Sequence, residues 1–376
     1  MPASANEYEL FGAGLVRYLS DNLPRAEELL CLTDCEPLRL SELAASCPEL
    51  EEAIACERGG YLDGSLAERV CARIATEHER LSPVHIRLES GAGYALLRVM
   101  QTLLRPGDRV VVHVPAFPPL YTIPKSLGCE VIRWVADANR GWELDLEFLA
   151  DHLDERTRLI VVSFPHNPTG YTPSRATFMD LVSIVRAKGV HLLCDEVYRD
   201  AADVAHELPP VADVYERGIS VGGVSKVFGL PGARVGWLAT RDMTILSSPT
   251  LQAAQAAVTG NVLGKVVAEC ALANREAILA RSREILRDNV ALFRRFLARH
   301  EDRIRCEGPL VGPVAFPQLL GATGSATAFC ARLLADNRTL AVPGPALDFD
   351  ERHVRIGLGR RRFPVALARL SELLAS

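Results

Sequence analysis

Residues 222–237 read Gly222-Gly223-Val224-Ser225-Lys226-Val227-Phe228-Gly229-Leu230-Pro231-Gly232-Ala233-Arg234-Val235-Gly236-Trp237. One lysine stands among small residues, and an arginine follows it eight positions later. An ammonium on a flexible stem is a poor nucleophile, but near other cations and away from bulk water it can lose its proton and condense with a carbonyl. Glycines on either side leave room for a flat ring. Taken alone, a Ser-Lys pair reads more simply as a solvated loop lysine. The rest of the chain makes Lys226 a Schiff-base candidate.

Upstream of this stretch, short β-branched runs alternate with helical patterns. Buried strands are expected at 84–88, 109–114, 130–135, 158–164, 190–194 and 219–221, with helices between several of them at 93–104, 146–153 and 175–188. That order predicts an α/β fold with a mainly parallel sheet sandwiched by helices, whose ligand crevice lies outside the carboxyl ends of the strands. Helical periodicity is also expected at 7–30, 38–50 and 66–79. After about residue 266 the pattern changes to a long helix at 272–300, short strands near 314–316 and 353–356, and a closing helix at 365–374, a smaller α+β domain. The expected partition is an N-terminal arm with part of the small domain (1–45), a large domain (46–265) and a C-terminal small domain (266–376).

At 376 residues the chain exceeds the size at which one core stops growing, which agrees with two lobes. The formal net charge is -5 and Lys and Arg are dispersed, so nucleic acid is not expected as a partner. Ten scattered cysteines show neither a paired framework nor a zinc spacing, and the nine histidines show no ligand spacing, so no metal is expected. No uninterrupted apolar run approaches a membrane span, and the expectation is a soluble, cytoplasmic protein with no membrane partner.

The chemistry-bearing residues fall at the expected strand ends. Asp195 follows Val190-His191-Leu192-Leu193-Cys194; such an acid is often a helix cap, but it can also lie against a heterocyclic nitrogen and keep it protonated. Tyr198 could bring a phenol to the edge of the same ring. Asn167 ends another strand, in the turn Asn167-Pro168-Thr169-Gly170. Ser90-Gly91-Ala92-Gly93-Tyr94 ends one strand and opens a helix, where backbone N–H groups suit a phosphate, and Arg234 can supply a guanidinium. Each signal is common by itself; their occurrence in this order is not.

Together they resemble the fold-type I enzymes of pyridoxal 5'-phosphate (PLP), particularly the class I/II aminotransferases, from about Cys31 to Gly357. The resemblance implies that Lys226 forms the Schiff base, Asp195 pairs with the pyridine nitrogen, and Asn167 and Tyr198 hydrogen-bond the phenolic oxygen. It implies that Phe117 stacks on the ring, that the amides of Ala92 and Gly93 hold the phosphate with Ser225 and Arg234, and that Arg355, with Asn167 beside it, receives the substrate α-carboxylate. Tyr61 resembles a tyrosine that reaches the phosphate from a partner subunit, which implies a homodimer with shared active sites. The implied substrates are an L-amino acid and a 2-oxo acid.

Three positions depart from the family pattern. Gly223 and Gly93 stand where hydroxyl residues are usual, and Cys35 stands where a glycine often precedes Glu-Pro, which would narrow the substrate pocket. The residues also admit a lyase or cyclase reading, including the cyclisation of an arginine-derived amino acid by capreomycidine synthase-like relatives. A non-catalytic PLP-binding sensor domain is the alternative from another class, although the N-terminal segment is short and not basic.

Overall fold

The computed structural model describes residues 14–57, 64–201, 208–247, 260–321 and 324–375. Strands are numbered along the chain. After β1 (Glu28–Leu29) come β2 (Ile86–Glu89), β3 (Arg109–Val114), β4 (Glu130–Val135), β5 (Thr157–Ser163), β6 (His191–Asp195), β7 (Gly218–Gly223) and β8 (Gly236–Thr240). β2 to β8 form one seven-stranded sheet in the order β2-β8-β7-β6-β5-β3-β4. β3 to β7 run parallel, and β8 is antiparallel to both its neighbours.

The apolar runs are continuous because both faces of this sheet are covered. On one face Val110, Val112, Leu159, Val161, Leu193 and Ile219 pack with Ala95, Leu96 and Val99 of the helix Ala92–Leu103. On the other, Val111, Ile160, Val162 and Leu192 pack with Phe178, Leu181 and Val185 of the helix Arg175–Lys188. Alternate side chains of each strand enter opposite layers, as the pleat requires. The second helix has clear ends: the Ser174 hydroxyl accepts from the Thr177 N–H, and Gly189 closes it with φ 63°.

The smaller strands come from both ends of the chain: β9 (Ile304–Arg305), β10 (Val314–Ala315), β11 (Gln318–Leu319), β12 (Thr339–Leu340), β13 (Val342–Pro343) and β14 (Val354–Gly357). β14 lies between β10 and β13, and β1 pairs with β12.

Several sequence expectations change. Within 7–30 the described helical residues are the α-helix Gly14–Asn22 and a 3-10 turn at Leu23–Arg25, and Glu28–Leu29 is a strand, because pairing with Thr339–Leu340 outweighs local periodicity. β8, which begins at the last two residues of the opening stretch, was not expected, because Gly236 hides the start of a short strand. A helix at Pro119–Ser126, with Pro124 inside it, was likewise not expected. The long helix divides at Asn274 into Val262–Ala273 and Arg275–Arg299. Among the described residues no helix is long and apolar enough to cross a membrane.

Candidate active site

Three neighbouring parallel strands end at the same edge of the sheet, and their registers bring distant residues together. Ser163 of β5 pairs with Asp195 of β6, which pairs in turn with Val221 of β7. The chain beyond β5 therefore delivers Asn167, that beyond β6 delivers Tyr198, and that beyond β7 delivers Lys226. Gly170, at φ 74°, closes the turn after Asn167, and a Cβ there would come within 2.8 Å of the Val314 carbonyl oxygen.

Asp195 is 5 % exposed, and its carboxylate accepts one hydrogen bond, from the Val197 N–H at 3.3 Å. Burial raises its pKa to about 6, against a smaller lowering by Lys226. The Tyr198 phenol is buried and its oxygen has no partner. Lys226 Nζ lies 5.8 Å from the centroid of the Tyr198 ring and donates to Thr33 Oγ1 at 2.9 Å.

Arg355 reaches this cluster from β14. Its Nη1 donates to Asn167 Oδ1 at 3.3 Å and its Nη2 to the Cys31 carbonyl at 3.1 Å, while Nε is buried without a partner. Burial lowers its pKa, so a carboxylate reaching it would relieve an uncompensated charge.

At the other end, Gly91 turns the chain with φ 97° into the helix that Ala92 and Gly93 open. The first N–H groups of a helix have no partner within it. Arg234, itself at φ 52°, donates through Nη2 to the Ser90 carbonyl at 3.1 Å. A Cβ on Gly91 would lie 2.5 Å from that Nη2, so the glycine leaves the space that the guanidinium fills. Ser90 and Arg234 line a cleft of about 320 Å³ together with Arg87, Arg98 and Lys265. Glu89 ion-pairs with Arg98 and Arg87 there. Ser225 is half-buried, and Phe117 is half-buried against the apolar layer on the helix side of the sheet. Tyr61 lies outside the described residues. A separate cleft of about 520 Å³, lined among others by Glu77, Arg175 and Asp213, contains none of these groups.

Sequence reasoning missed Thr33 and Cys31, because the peptide that carries them belongs to neither a regular strand nor a motif turn. It also misplaced Cys35. That residue is buried in the apolar core with its thiol on Ser282, and its N–H donates to the Lys226 carbonyl at 3.0 Å, so the side chain does not narrow the pocket.

The groups present suit PLP: an unpartnered buried phenol, a buried carboxylate with spare acceptor capacity, a lysine whose amine faces the same phenol ring, and a helix start with an arginine and no glycine Cβ in the way. A doubly covered sheet of this order, with these residues at its strand ends, defines a pyridoxal-phosphate enzyme of fold type I. The chain belongs to the aminotransferase class I and II family, whose model matches residues 39–362.

The capreomycidine synthase of Streptomyces vinaceus is 30% identical over all of this chain and 97% of its own length. Among solved structures, a PLP-dependent aminotransferase from Streptococcus suis 89-1591 superposes with a TM-score of 0.89 at 29% identity, covering 96% of this chain and 97% of its own. The PLP-dependent cyclase OrfR does so with 0.84 at 27% identity, covering 96% of each. The protein is an enzyme of amino-group transfer that uses pyridoxal phosphate.

Proposed function

We propose that the amino group moves between an L-amino acid and a 2-oxo acid at the site around Lys226. The observation that supports this reading is the meeting of the half-buried Lys226 with the buried Tyr198, Asp195 and Arg355. Bound PLP supplies an electron-withdrawing ring that stabilises negative charge at the substrate Cα.

In this reading Lys226 holds the cofactor, Asp195 keeps a proton on its ring nitrogen, and Tyr198 and Asn167 bond its phenolic oxygen. Arg234, Ser225 and the helix start at Ala92 and Gly93 hold its phosphate, and Phe117 lies on its ring. Arg355 turns from the Cys31 carbonyl to the substrate carboxylate and fixes the Cα beside Lys226. The freed Lys226 amine accepts the Cα proton on Nζ and gives it up again within the site. Positioned proton transfer of this kind contributes about 10²–10⁴-fold in rate. The reading includes a homodimer with shared active sites, supported by the family to which the chain belongs, acting in the cytoplasm.

The test is the absorbance spectrum during mixing with single L-amino acids. A visible band that disappears with the donor and returns with an oxo acid supports the reading. A second reading, elimination or cyclisation of an arginine-derived amino acid, draws on the full-length match to capreomycidine synthase and the likeness to OrfR. Under it the band persists while ammonia or a cyclic product accumulates without any oxo acid being consumed.

A further inference from the structure

The peptide 30–36 takes no part in the large sheet, yet it touches both Lys226 and Arg355. Its two ends are tied to the chain around β14: the Leu30 carbonyl accepts from the Gly357 N–H at 2.6 Å, and the Glu36 N–H donates to the Gly359 carbonyl at 2.7 Å. Asp34 is held by Arg360 Nη2, at 2.8 and 2.9 Å to its two oxygens. Between these anchors the Cys31 carbonyl accepts from Arg355 and the Thr33 hydroxyl accepts from Lys226. The Cys35 N–H donates to the carbonyl of the same lysine. Both the backbone and the tip of Lys226 are therefore tied to one peptide, and that peptide is anchored beside the strand that carries Arg355.

We infer that Thr33 is a positioning residue for Lys226, setting where the Nζ lone pair and its protons lie. This inference rests on the reading that Lys226 carries the cofactor. A lysine tip has many rotamers, and a reacting amine must be aligned to within a fraction of an ångström to work well. Thr33 is 8 % exposed, so little water competes for the hydrogen bond. Its β-branched side chain has few χ1 states, so the oxygen is fixed by the peptide and not merely near the amine. Packing alone would be served equally by valine, which has the same shape and no hydroxyl.

The test compares Thr33→Val and Thr33→Ser with the parent in two measurements. The first is the rate at which cofactor-free protein captures PLP, followed by the visible band and by borohydride fixation with mass-spectrometric location of the label. Capture joins Nζ to the aldehyde carbon, and the aldehyde oxygen leaves with both amine protons as water. The second is the split of kcat from KM, with the kinetic isotope effect of an α-deuterated amino acid.

Thr33→Val is expected to slow capture and kcat each by about tenfold, the size of one hydrogen bond. KM should stay within about twofold, the isotope effect should rise, and Thr33→Ser should restore parental values. Equal capture rates and isotope effects in Thr33→Val and the parent, with the label on Lys226 in both, overturn this inference alone. A Thr33→Ser variant as impaired as Thr33→Val also overturns it, since the hydroxyl would then not be what matters. Label absent from Lys226 in the parent overturns the reading of the site and this inference together.

Discussion

The two ends of the site are built on opposite terms. At the ring end Asp195, Tyr198 and Arg355 are each no more than 5 % exposed, and each keeps spare hydrogen-bonding capacity in the dry interior. At the phosphate end Arg234 is exposed on the single chain, and two positions that often carry hydroxyls are Gly93 and Gly223. Burial magnifies electrostatic interactions, so a few groups suffice at the ring, whereas an open anion site needs many donors. Substitutions at the ring end should therefore change chemistry by orders of magnitude, and those at the phosphate end should change cofactor affinity modestly.

The largest effect is expected at the point where the two ends meet. Lys226→Ala should lower kcat by at least about 10³-fold and abolish the visible band. Near-parental turnover in that variant would break the comparison outright, because the amine that carries the proton in this reading would be gone.

Asp195→Asn should lower kcat by about 10²–10³-fold through loss of a preorganised charge. It also carries a stability signature. Burial raises the Asp195 pKa to about 6 in the folded chain, against 3.8 ordinarily, so the folded state takes up a proton between those values. Protonation therefore adds stability as pH falls through 6 towards 4, and the ionised form costs on the order of 2–3 kcal/mol above pH 6. The cofactor-free Asp195→Asn protein should melt a few degrees above the cofactor-free parent at pH 7.5, with the gap closing near pH 4. A gap independent of pH in thermal denaturation would show that desolvation at Asp195 is not the cause.

Arg355→Lys should raise KM for the amino acid by about 30–100-fold and leave the cofactor band intact, since a single ammonium cannot reproduce the two-pronged guanidinium contact. Steady-state kinetics on one donor would decide it, and an unchanged KM would place the carboxylate elsewhere.

The smallest effects sharpen the phosphate end. A Cβ on Gly93 meets nothing within 4 Å, whereas one on Gly223 would lie 3.2 Å from the Val235 carbonyl and 3.3 Å from Gly236 Cα. Gly93→Thr should tighten PLP binding a few-fold, about 1 kcal/mol for one added hydrogen bond, as read by equilibrium dialysis. Gly223→Thr should instead lose about 1 kcal/mol of folding stability through crowding. Weaker PLP binding by Gly93→Thr would mean that the phosphate does not sit at this helix start.

The strand-end residues were legible as candidates because each lies within a few positions of the end of an apolar run. Asp195 after Leu192-Leu193-Cys194 and Asn167 after Val161-Val162-Ser163 need only the rule that such runs are buried parallel strands and that their carboxyl ends face the ligand. Thr33 had no such marker, since its peptide is shaped by bonds to residues more than 190 positions away. Cys35 shows the same limit from the other side: its position in the chain pointed to the pocket, but its thiol turns into the core against Ser282. β8 was missed because it is short, begins with a glycine and runs antiparallel to both its neighbours, and Gly222 and Trp237 share one space across its pairing with β7.

Sequence alone determined the parallel core of the sheet, and it named the lysine and the groups around it as candidates. These depend on local hydrophobic runs and on residue chemistry, both of which are written in neighbouring positions. Only the tertiary structure decided that Arg355 rests on Asn167 and Cys31, that Thr33 holds the lysine, and that the Tyr198 phenol is left without a partner. Those facts depend on which surfaces meet when distant segments pack, and on how far burial removes water from the charges they bring together.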